Sequence, residues 1–222
     1  MSAFDLLISD CDGVIVDSEI LSKRVLFEAL CAYAPAARLG PLLEDTFGLT
    51  VPTIVRLVEQ TFDLSIPETF DEDVRRQSEA YVAEAVEPVP GAREALLGID
   101  MPLAVASNSR RHNVEASLAR AGLTERVAGN IFSADMVVSP KPAPDVYLLA
   151  AERMGVAPAR CLVVEDSPTG VRAALGAGMR VIGFTGASHI PPGHAKTLLD
   201  LGVVAVIEHM DRLQETVTRL RG

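Results

Sequence analysis

Short apolar runs alternate with longer segments of helical pattern along most of the chain. The runs are short enough for strands and are flanked by turn residues: FDLLIS, MPLAVAS, NIFSA, CLVVE and RVIGF. Segments such as RHNVEASLARAGL and PDVYLLAAERMG lie between them and repeat their apolar residues at helical spacing. This alternation predicts an α/β fold with a doubly wound, Rossmann-like parallel sheet covered by helices.

Glycines mark the expected ends of several of these helices. Gly122, Gly155 and Gly178 each follow a helical pattern, at the position where a left-handed residue commonly ends a helix. The positions of these glycines and the spacing of the apolar residues therefore predict the same helices.

The stretch between the first and second predicted strands is much longer than the crossover of a simple βαβ unit. It lacks strand alternation and contains three helix-like segments, SEILSKRVLFEALCAYA, TVPTIVRLVEQTF and DEDVRRQSEAYVAEAV. We therefore predict that residues 18–86 form a helical cap domain, inserted into a catalytic core made of residues 1–17 and 87–222.

Composition limits the classes of function. The chain has 222 residues and a formal net charge of −10, which opposes nucleic-acid binding. No apolar stretch approaches the roughly 18 residues of a membrane span, and the acidic start MSAFDLLISD is not typical of a signal peptide. These features predict a cytoplasmic protein with neither nucleic acid nor membrane as a partner. A monomer or weak dimer is expected.

The three cysteines show no metal-binding or disulfide spacing. Cys11, Cys31 and Cys161 are odd in number and lie within apolar runs. We predict buried, reduced thiols.

Two acidic residues, Asp10 and Asp12, follow the first predicted strand directly. They could be turn residues beside Gly13, a common use of aspartate. A calcium loop of the EF-hand kind is excluded, because its fifth and twelfth positions would be Val14 and Leu21. The third alternative is a catalytic pair at the carboxyl end of the strand, where such sheets bind ligands.

Phosphoryl transfer would use both carboxylates. One can attack phosphorus and form an acyl phosphate, while the other exchanges a proton with the leaving or attacking oxygen. Because two carboxylates and a phosphate repel one another, such a site needs positive charge. Mg²⁺ is the hard cation that takes carboxylate oxygens and phosphate together.

Residues that suit this chemistry follow other predicted strands: Ser107 after one strand with Asn108 just before the next helix, Lys141 in a proline-rich loop before a helix, and Glu165 and Asp166 at the end of a further strand. Each has a simpler explanation by itself. Ser107 and its neighbours could cap a helix, Lys141 could be a solvated surface charge, and Glu165 with Asp166 could cap the next helix. Their ordered occurrence, each at a strand end, favours a shared site.

The chain resembles the haloacid dehalogenase superfamily, in the branch with a helical cap after the first strand that includes sugar-phosphate phosphatases and β-phosphoglucomutase-like enzymes. The resemblance spans essentially all of the chain. It rests on four ordered motifs, DCDGVIVDSE, SNS, KPAPD and VVEDSPTG.

The resemblance implies a phosphatase acting through a phosphoaspartate. Asp10 would be the nucleophile and Asp12 the general acid and base. Ser107 and the Asn108 amide would contact phosphate, and Lys141 would neutralise Asp10 and phosphate.

The resemblance also implies a Mg²⁺ site. The ion would be held by the Asp10 side chain, the main-chain carbonyl of Asp12 and the Asp166 carboxylate, with Glu165 as a direct ligand or an anchor behind the ligands. Dehalogenation needs no second aspartate, so Asp12 argues against that activity.

Two departures argue against a phosphosugar mutase, which stays the alternative. Mutases of that type resemble one another in a histidine where this chain has Ser22, and in an arginine after a glycine-centred turn where FGLTVPTI places Val51. A phosphometabolite-binding protein without turnover is the other alternative, although it would be expected to lose Asp10 or Asp12.

The inserted segment is acidic, with six lysines and arginines against twelve aspartates and glutamates in residues 18–86. Its candidate basic contacts, Lys23, Arg24, Arg75 and Arg76, are interpreted as solvated helix charges. We predict a small, hydroxylated monophosphate as substrate, a sugar or sugar-acid phosphate.

Two histidines, His189 and His194, fall in a loop rich in proline and glycine. No third ligand is suitably spaced for a metal, and they are interpreted as surface loop residues.

Overall fold

A computed structural model describes residues 3–44, 46 and 49–222. The chain divides into two compact units. Unit 1 contains the residues up to Asp17 together with Glu87–Gly222, and unit 2 is Ser18–Val86.

The sheet of unit 1 has six parallel strands in the order β3-β2-β1-β4-β5-β6. These are β1 (Leu6–Ser9), β2 (Leu103–Ser107), β3 (Ile131–Ser133), β4 (Cys161–Glu165), β5 (Arg180–Phe184) and β6 (Ala205–Ile207). All five predicted strands are present, and the predicted α/β class is confirmed. The sixth was not predicted, because it is three residues long and only half-buried over its first two.

Helices cover the sheet of unit 1. In chain order they are α5 (Ala92–Leu97), α6 (Arg111–Arg120), α7 (Thr124–Val127), α8 (Asp145–Arg153), α9 (Pro168–Gly176), α10 (His194–Leu201) and α11 (Leu213–Arg221). Gly122, Gly155 and Gly178 follow α6, α8 and α9 with φ of 66°, 66° and 79°. The predicted left-handed positions are confirmed.

The four central strands are almost wholly buried, which explains their continuous apolar sequence. Small side chains let α8 and α9 approach the sheet closely. Ala150 and Ala151 of α8 and Ala173 and Ala174 of α9 belong to one core cluster with residues of β1, β2, β4 and β5. Close packing holds the carboxyl ends of these strands rigid.

The order of the strands reverses beside β1. The chain builds outward from β1 through β2 to β3, then returns to place β4 on the other side of β1. Ser9 is in register with Val105 of β2 and Val164 of β4. The residues that follow these positions therefore meet at a topological switch point, where sheets of this kind bind ligands.

Unit 2 is helical over its described residues and has a core of its own. Its helices are α1 (Glu19–Leu30), α2 (Ala36–Glu44), α3 (Val51–Phe62) and α4 (Phe70–Ala85). Leu30, Leu39, Val58 and Phe70 are among the side chains buried together there. The role of unit 2 as a cap stays a prediction.

The helix α2 was not predicted, because Gly40 and Pro41 resemble a break. It forms nonetheless around Leu39, which is fully buried. The glycine-centred turn predicted at Gly48 lies outside the described residues.

Three of the four candidate basic side chains of unit 2 pair with acids of their own helices. Arg24 pairs with Glu28, and Arg76 pairs with Asp73. Arg75 lies between Glu72 and Glu79 on α4. These contacts are those of solvated helix charges, as interpreted from the sequence.

The cysteine prediction is wrong for one residue. Cys11 and Cys161 are buried free thiols, but Cys31 is free and exposed. It lies at the C-terminal end of α1, where the helix ends and the core no longer covers it.

None of the helices described is both long enough and apolar enough to cross a bilayer.

Candidate active site

The site lies at the carboxyl ends of the central strands of unit 1. Asp10 directly follows β1, Asp166 directly follows β4, and Glu165 is the last residue of β4. Asp10, Glu165 and Asp166 are all buried, and each can offer a carboxylate oxygen within 4.8 Å of the others. Glu165 and Asp166 lie 155 and 156 residues after Asp10 in the sequence. The pairing of β1 with β4 brings the three acids together.

Lys141 is buried in this cluster rather than solvated. Its side chain is 3% exposed, and Nζ lies 2.9 Å from Asp10 Oδ1 and 2.7 Å from Glu165 Oε1. Nζ also donates to the carbonyl oxygen of Ala106 at 2.9 Å. Three acceptors match the three donors of an ammonium, so the lysine is fixed in place.

The neighbours of Lys141 keep it charged. Burial acts to lower its pKa, but the carboxylates of Asp10 and Glu165 outweigh burial and raise the pKa well above its usual value. A permanent positive charge therefore stands beside Asp10.

The surroundings of Asp10, unlike those of Lys141, disfavour its charged form. Burial, and then the nearby charge of Glu165, raise the pKa of Asp10 well above its usual value, while Lys141 acts to lower it. A single ammonium does not balance three carboxylates. With all three ionised the cluster retains two negative charges, which a divalent cation would neutralise.

Glu165 uses both of its oxygens. Oε1 accepts from Lys141 Nζ and, at 2.9 Å, from the hydroxyl of Tyr147, and Oε2 accepts from the amide and the hydroxyl of Ser167, each at 3.1 Å. The helix α9 is capped by Ser167, whose Oγ accepts from the amide of Gly170. Glu165 therefore anchors the lysine and the cap residue.

Asp12 is held by two hydroxyls. Ser107 Oγ donates to Asp12 Oδ2 at 3.0 Å, and Ser109 Oγ donates to the same oxygen at 2.7 Å. The N-cap of α6 is Arg110, so these serines do not cap that helix. They orient the carboxyl group of Asp12 instead.

Asn108 joins the second strand end to the lysine loop. Its Nδ2 donates to the carbonyl oxygen of Lys141 at 3.1 Å, and its Oδ1 accepts from the Lys141 amide at 2.9 Å. These two hydrogen bonds fix the main chain of Lys141, whose side chain extends to Asp10.

A family model described as haloacid dehalogenase-like hydrolase matches residues 4–178, which contain all of these acids and the lysine. This chain belongs to the haloacid dehalogenase-like hydrolases. The family resemblance and the predicted class of enzyme, a hydrolase, are confirmed.

Named relatives of this hydrolase include two from Escherichia coli K12. It is 26% identical to 6-phosphogluconate phosphatase, covering 97% of this chain and 95% of the relative. It is 31% identical to fructose-1-phosphate phosphatase YqaB, covering 79% of this chain and 94% of the relative.

Among solved structures, the hydrolase is similar to a conserved haloacid dehalogenase-like protein of unknown function from Agrobacterium tumefaciens C58. The two share 36% identity with a TM-score of 0.89, over 99% of this chain and all of the other. This similarity agrees with the fold described above.

The interpretation of His189 and His194 as surface loop residues is wrong. The side chain of His189 is 5% exposed, and its Nε2 lies 3.2 Å from Asp166 Oδ2. His194 is equally buried, and its Nε2 lies 2.6 Å from the main-chain oxygen of Asp166. The loop between β5 and α10 folds back onto the end of β4, which its composition does not reveal.

Sequence reasoning also missed two contributors. Ser109 was considered only as a helix cap, and Tyr147 was not singled out at all. The signal for Tyr147 is its place six residues after Lys141 at the start of a helix, the only described tyrosine in unit 1.

Proposed function

We propose that this hydrolase is a Mg²⁺-dependent phosphatase of a small phosphorylated metabolite, a sugar or sugar-acid monophosphate, and acts through a phosphoaspartate at Asp10. One observation carries the proposal: Asp10 lies at the switch point with Oδ1 2.9 Å from a buried, charged lysine and with two further acids beside it. This arrangement suits attack on a phosphorus atom whose oxygens need positive charge around them.

The donor set fits Mg²⁺. The carboxylates are hard oxygen ligands, and their surplus charge matches a divalent cation. Asp10, Asp166 and the main-chain oxygen of Asp12 are proposed to hold the ion. Glu165 is proposed as the anchor behind them, because each of its oxygens already accepts two hydrogen bonds. When bound, Mg²⁺ supplies charge stabilisation to the phosphoryl oxygens.

In the first step, an oxygen of Asp10 forms a bond to phosphorus as the bond between phosphorus and the alcohol oxygen breaks. Asp12 gives its proton to that leaving oxygen. The hydroxyls of Ser107 and Ser109 hold Asp12 in orientation for this transfer. The products are an alcohol and a phosphoaspartate at Asp10.

In the second step, water attacks phosphorus and Asp12 takes its proton. The bond between phosphorus and Asp10 breaks, which releases inorganic phosphate and restores the carboxylate. Throughout both steps Lys141 stabilises negative charge near Asp10, supported by Glu165.

The substrate class is supported by the relatives and by the sequence. Both Escherichia coli relatives are named as phosphatases of monophosphorylated sugars or sugar acids. Ser22 and Val51 occupy the positions at which the mutases carry a histidine and an arginine. Without those groups hydrolysis is favoured over retention of the phosphoryl group.

The test measures phosphate release from a panel of sugar and sugar-acid monophosphates, with Mg²⁺ and with EDTA, for wild type and Asp10→Asn. We expect metal-dependent release that is lost in the variant. Conversion of β-glucose 1-phosphate to glucose 6-phosphate is assayed in parallel. Conversion without release would replace the phosphatase by a mutase, and neither activity would leave a binding protein.

A further inference from the structure

One carboxylate of the proposed metal centre lies against a histidine from outside the four motifs named above. Asp166 Oδ2 lies 3.2 Å from His189 Nε2, and both side chains are at most 5% exposed. A carboxylate oxygen only accepts hydrogen bonds, so at this distance the ring nitrogen is the group that can donate. Gly13 lies against the same pair, where an added Cβ would be 2.0 Å from Asp166 Oδ2 and 3.0 Å from His189 Cε1.

The main chain of Asp166 is contacted by the first residue of α10, the helix that follows this loop. His194 Nε2 lies 2.6 Å from the carbonyl oxygen of Asp166. Asp166 is therefore contacted at its side chain and its main chain by two histidines of one short segment, 189–194. A donor at one oxygen restricts rotation of the carboxylate, so it also favours one direction for the second oxygen.

The loop that carries His189 is itself anchored. The amide of Ser188 donates to Asp17 Oδ2 at 3.0 Å, and His189 Nδ1 lies 3.7 Å from Asp17 Oδ1. Asp17 belongs to the same unit and is hydrogen-bonded through its own amide to Glu87. The imidazole of His189 therefore lies between two carboxylates, with Nδ1 toward Asp17 and Nε2 toward Asp166.

We propose that His189 is a positioning residue for Asp166: its Nε2–H fixes the carboxylate so that the cluster of Asp10 and Asp166 is preorganised for a divalent cation. The inference rests on the proposed function, in which Asp166 is a metal ligand. Groups that hold ligating side chains from behind typically change metal affinity by about 10- to 100-fold when removed. Preorganisation is thus measurable in the protein without substrate.

The experiment measures the affinity of the metal-free protein for Mn²⁺ by electron paramagnetic resonance, and for Mg²⁺ by competition. His189→Leu removes the donor, whereas His189→Gln places an amide nitrogen near the position of Nε2. Ser188→Ala is the control in the same loop, since its amide bond to Asp17 remains. Leu118→Ala, a buried change in α6, controls for a general loss of stability.

We expect His189→Leu to weaken binding of both ions by on the order of 10-fold or more, with His189→Gln much closer to wild type. Ser188→Ala and Leu118→Ala should bind as wild type does. If His189→Leu does not fold, His189→Asn takes its place, because its amide is too short to reach Asp166.

Equal affinity of the folded His189 variants and wild type would overturn the inference and leave the proposed metal site standing. Equal weakening in the leucine and glutamine variants would also overturn it, because the ring's bulk and not its donor would then matter. A wild-type protein that binds neither ion would overturn both this inference and the metal-dependent function.

Discussion

Lys141 shows how a single residue decides the character of the site. It is the ammonium that the buried carboxylates Asp10 and Glu165 share, at 2.9 and 2.7 Å. Removing one member of a buried charged cluster lowers the free energy of unfolding by more than the net contribution of the interaction, because the remaining charges stay buried without a partner.

We therefore predict that Lys141→Met lowers the free energy of unfolding in EDTA by about 3–5 kcal/mol. The loss in the double variant Lys141→Met, Glu165→Gln should be smaller than the sum of the single losses, because less negative charge is then left without a partner. Urea denaturation of the four proteins measures this coupling.

The exposed pair Lys196 and Asp200 provides the control cycle, with the changes Lys196→Met and Asp200→Asn. Its coupling should be several-fold smaller, since solvent screens it. Additive losses at Lys141 and Glu165 would show that the two groups do not depend on each other.

Residue chemistry was easier to predict than residue environment. Asp10 and Asp166 were identified because acids at strand ends are unusual, and Lys141 because it occurs in order between them; the structure brings these residues together. His189 was misassigned because burial of a loop depends on where it folds, and a loop of proline and glycine has no apolar periodicity to indicate it. Tyr147 was missed because an aromatic residue on a buried helix face usually indicates packing alone.

At the scale of elements, α9 contains two glycines in contrasting surroundings. Gly170 lies near its start, where an added Cβ would be 1.6 Å from Glu165 Oε1. Gly176 is exposed at its end, where the nearest atom to an added Cβ would be 3.8 Å away. The same substitution should therefore have opposite effects within one helix.

We predict that Gly176→Ala raises the free energy of unfolding by up to about 1 kcal/mol, through helix propensity. Gly170→Ala should lower it by at least about 1–3 kcal/mol, because the methyl group displaces the carboxylate that anchors Lys141. Denaturant titrations compare the two variants. A gain in stability at Gly170 would mean that Glu165 can move without cost.

Helices and strands with a clear apolar run or repeat could be predicted from the sequence, and those without one could not. The strands β1, β2 and β4 are continuous buried runs and were found, whereas β6 is short and half-exposed. The helix α2 was hidden by Gly40 and Pro41, because tertiary burial of Leu39 overrides two poor helix formers. Local sequence does not contain that information.

At the scale of the whole molecule, the candidate site is built entirely from unit 1, and unit 2 has a separate core. The two ends at which unit 2 joins are adjacent, since the Asp17 amide donates to the Glu87 carbonyl oxygen at 2.9 Å. A short linker can therefore close the gap that its removal would leave.

We predict that replacing residues 18–86 by a short Gly/Ser linker yields a folded α/β protein that binds Mg²⁺ as the full chain does. Circular dichroism and isothermal titration calorimetry measure the fold and the binding. The same protein with Asp166→Asn is the control and should lose binding. A shortened protein that is unfolded, or that is folded but does not bind, would show that the site depends on unit 2.

The central place of β1 has a consequence for biosynthesis. β1 is the first strand in the chain, but its neighbours β2 and β4 begin only at Leu103 and Cys161. A nascent chain therefore leaves the ribosome with this buried, largely apolar strand unpaired at both edges, and its second edge stays open until the residues of β4 have been synthesised. During that wait the strand is open to aggregation and is a natural substrate for chaperones.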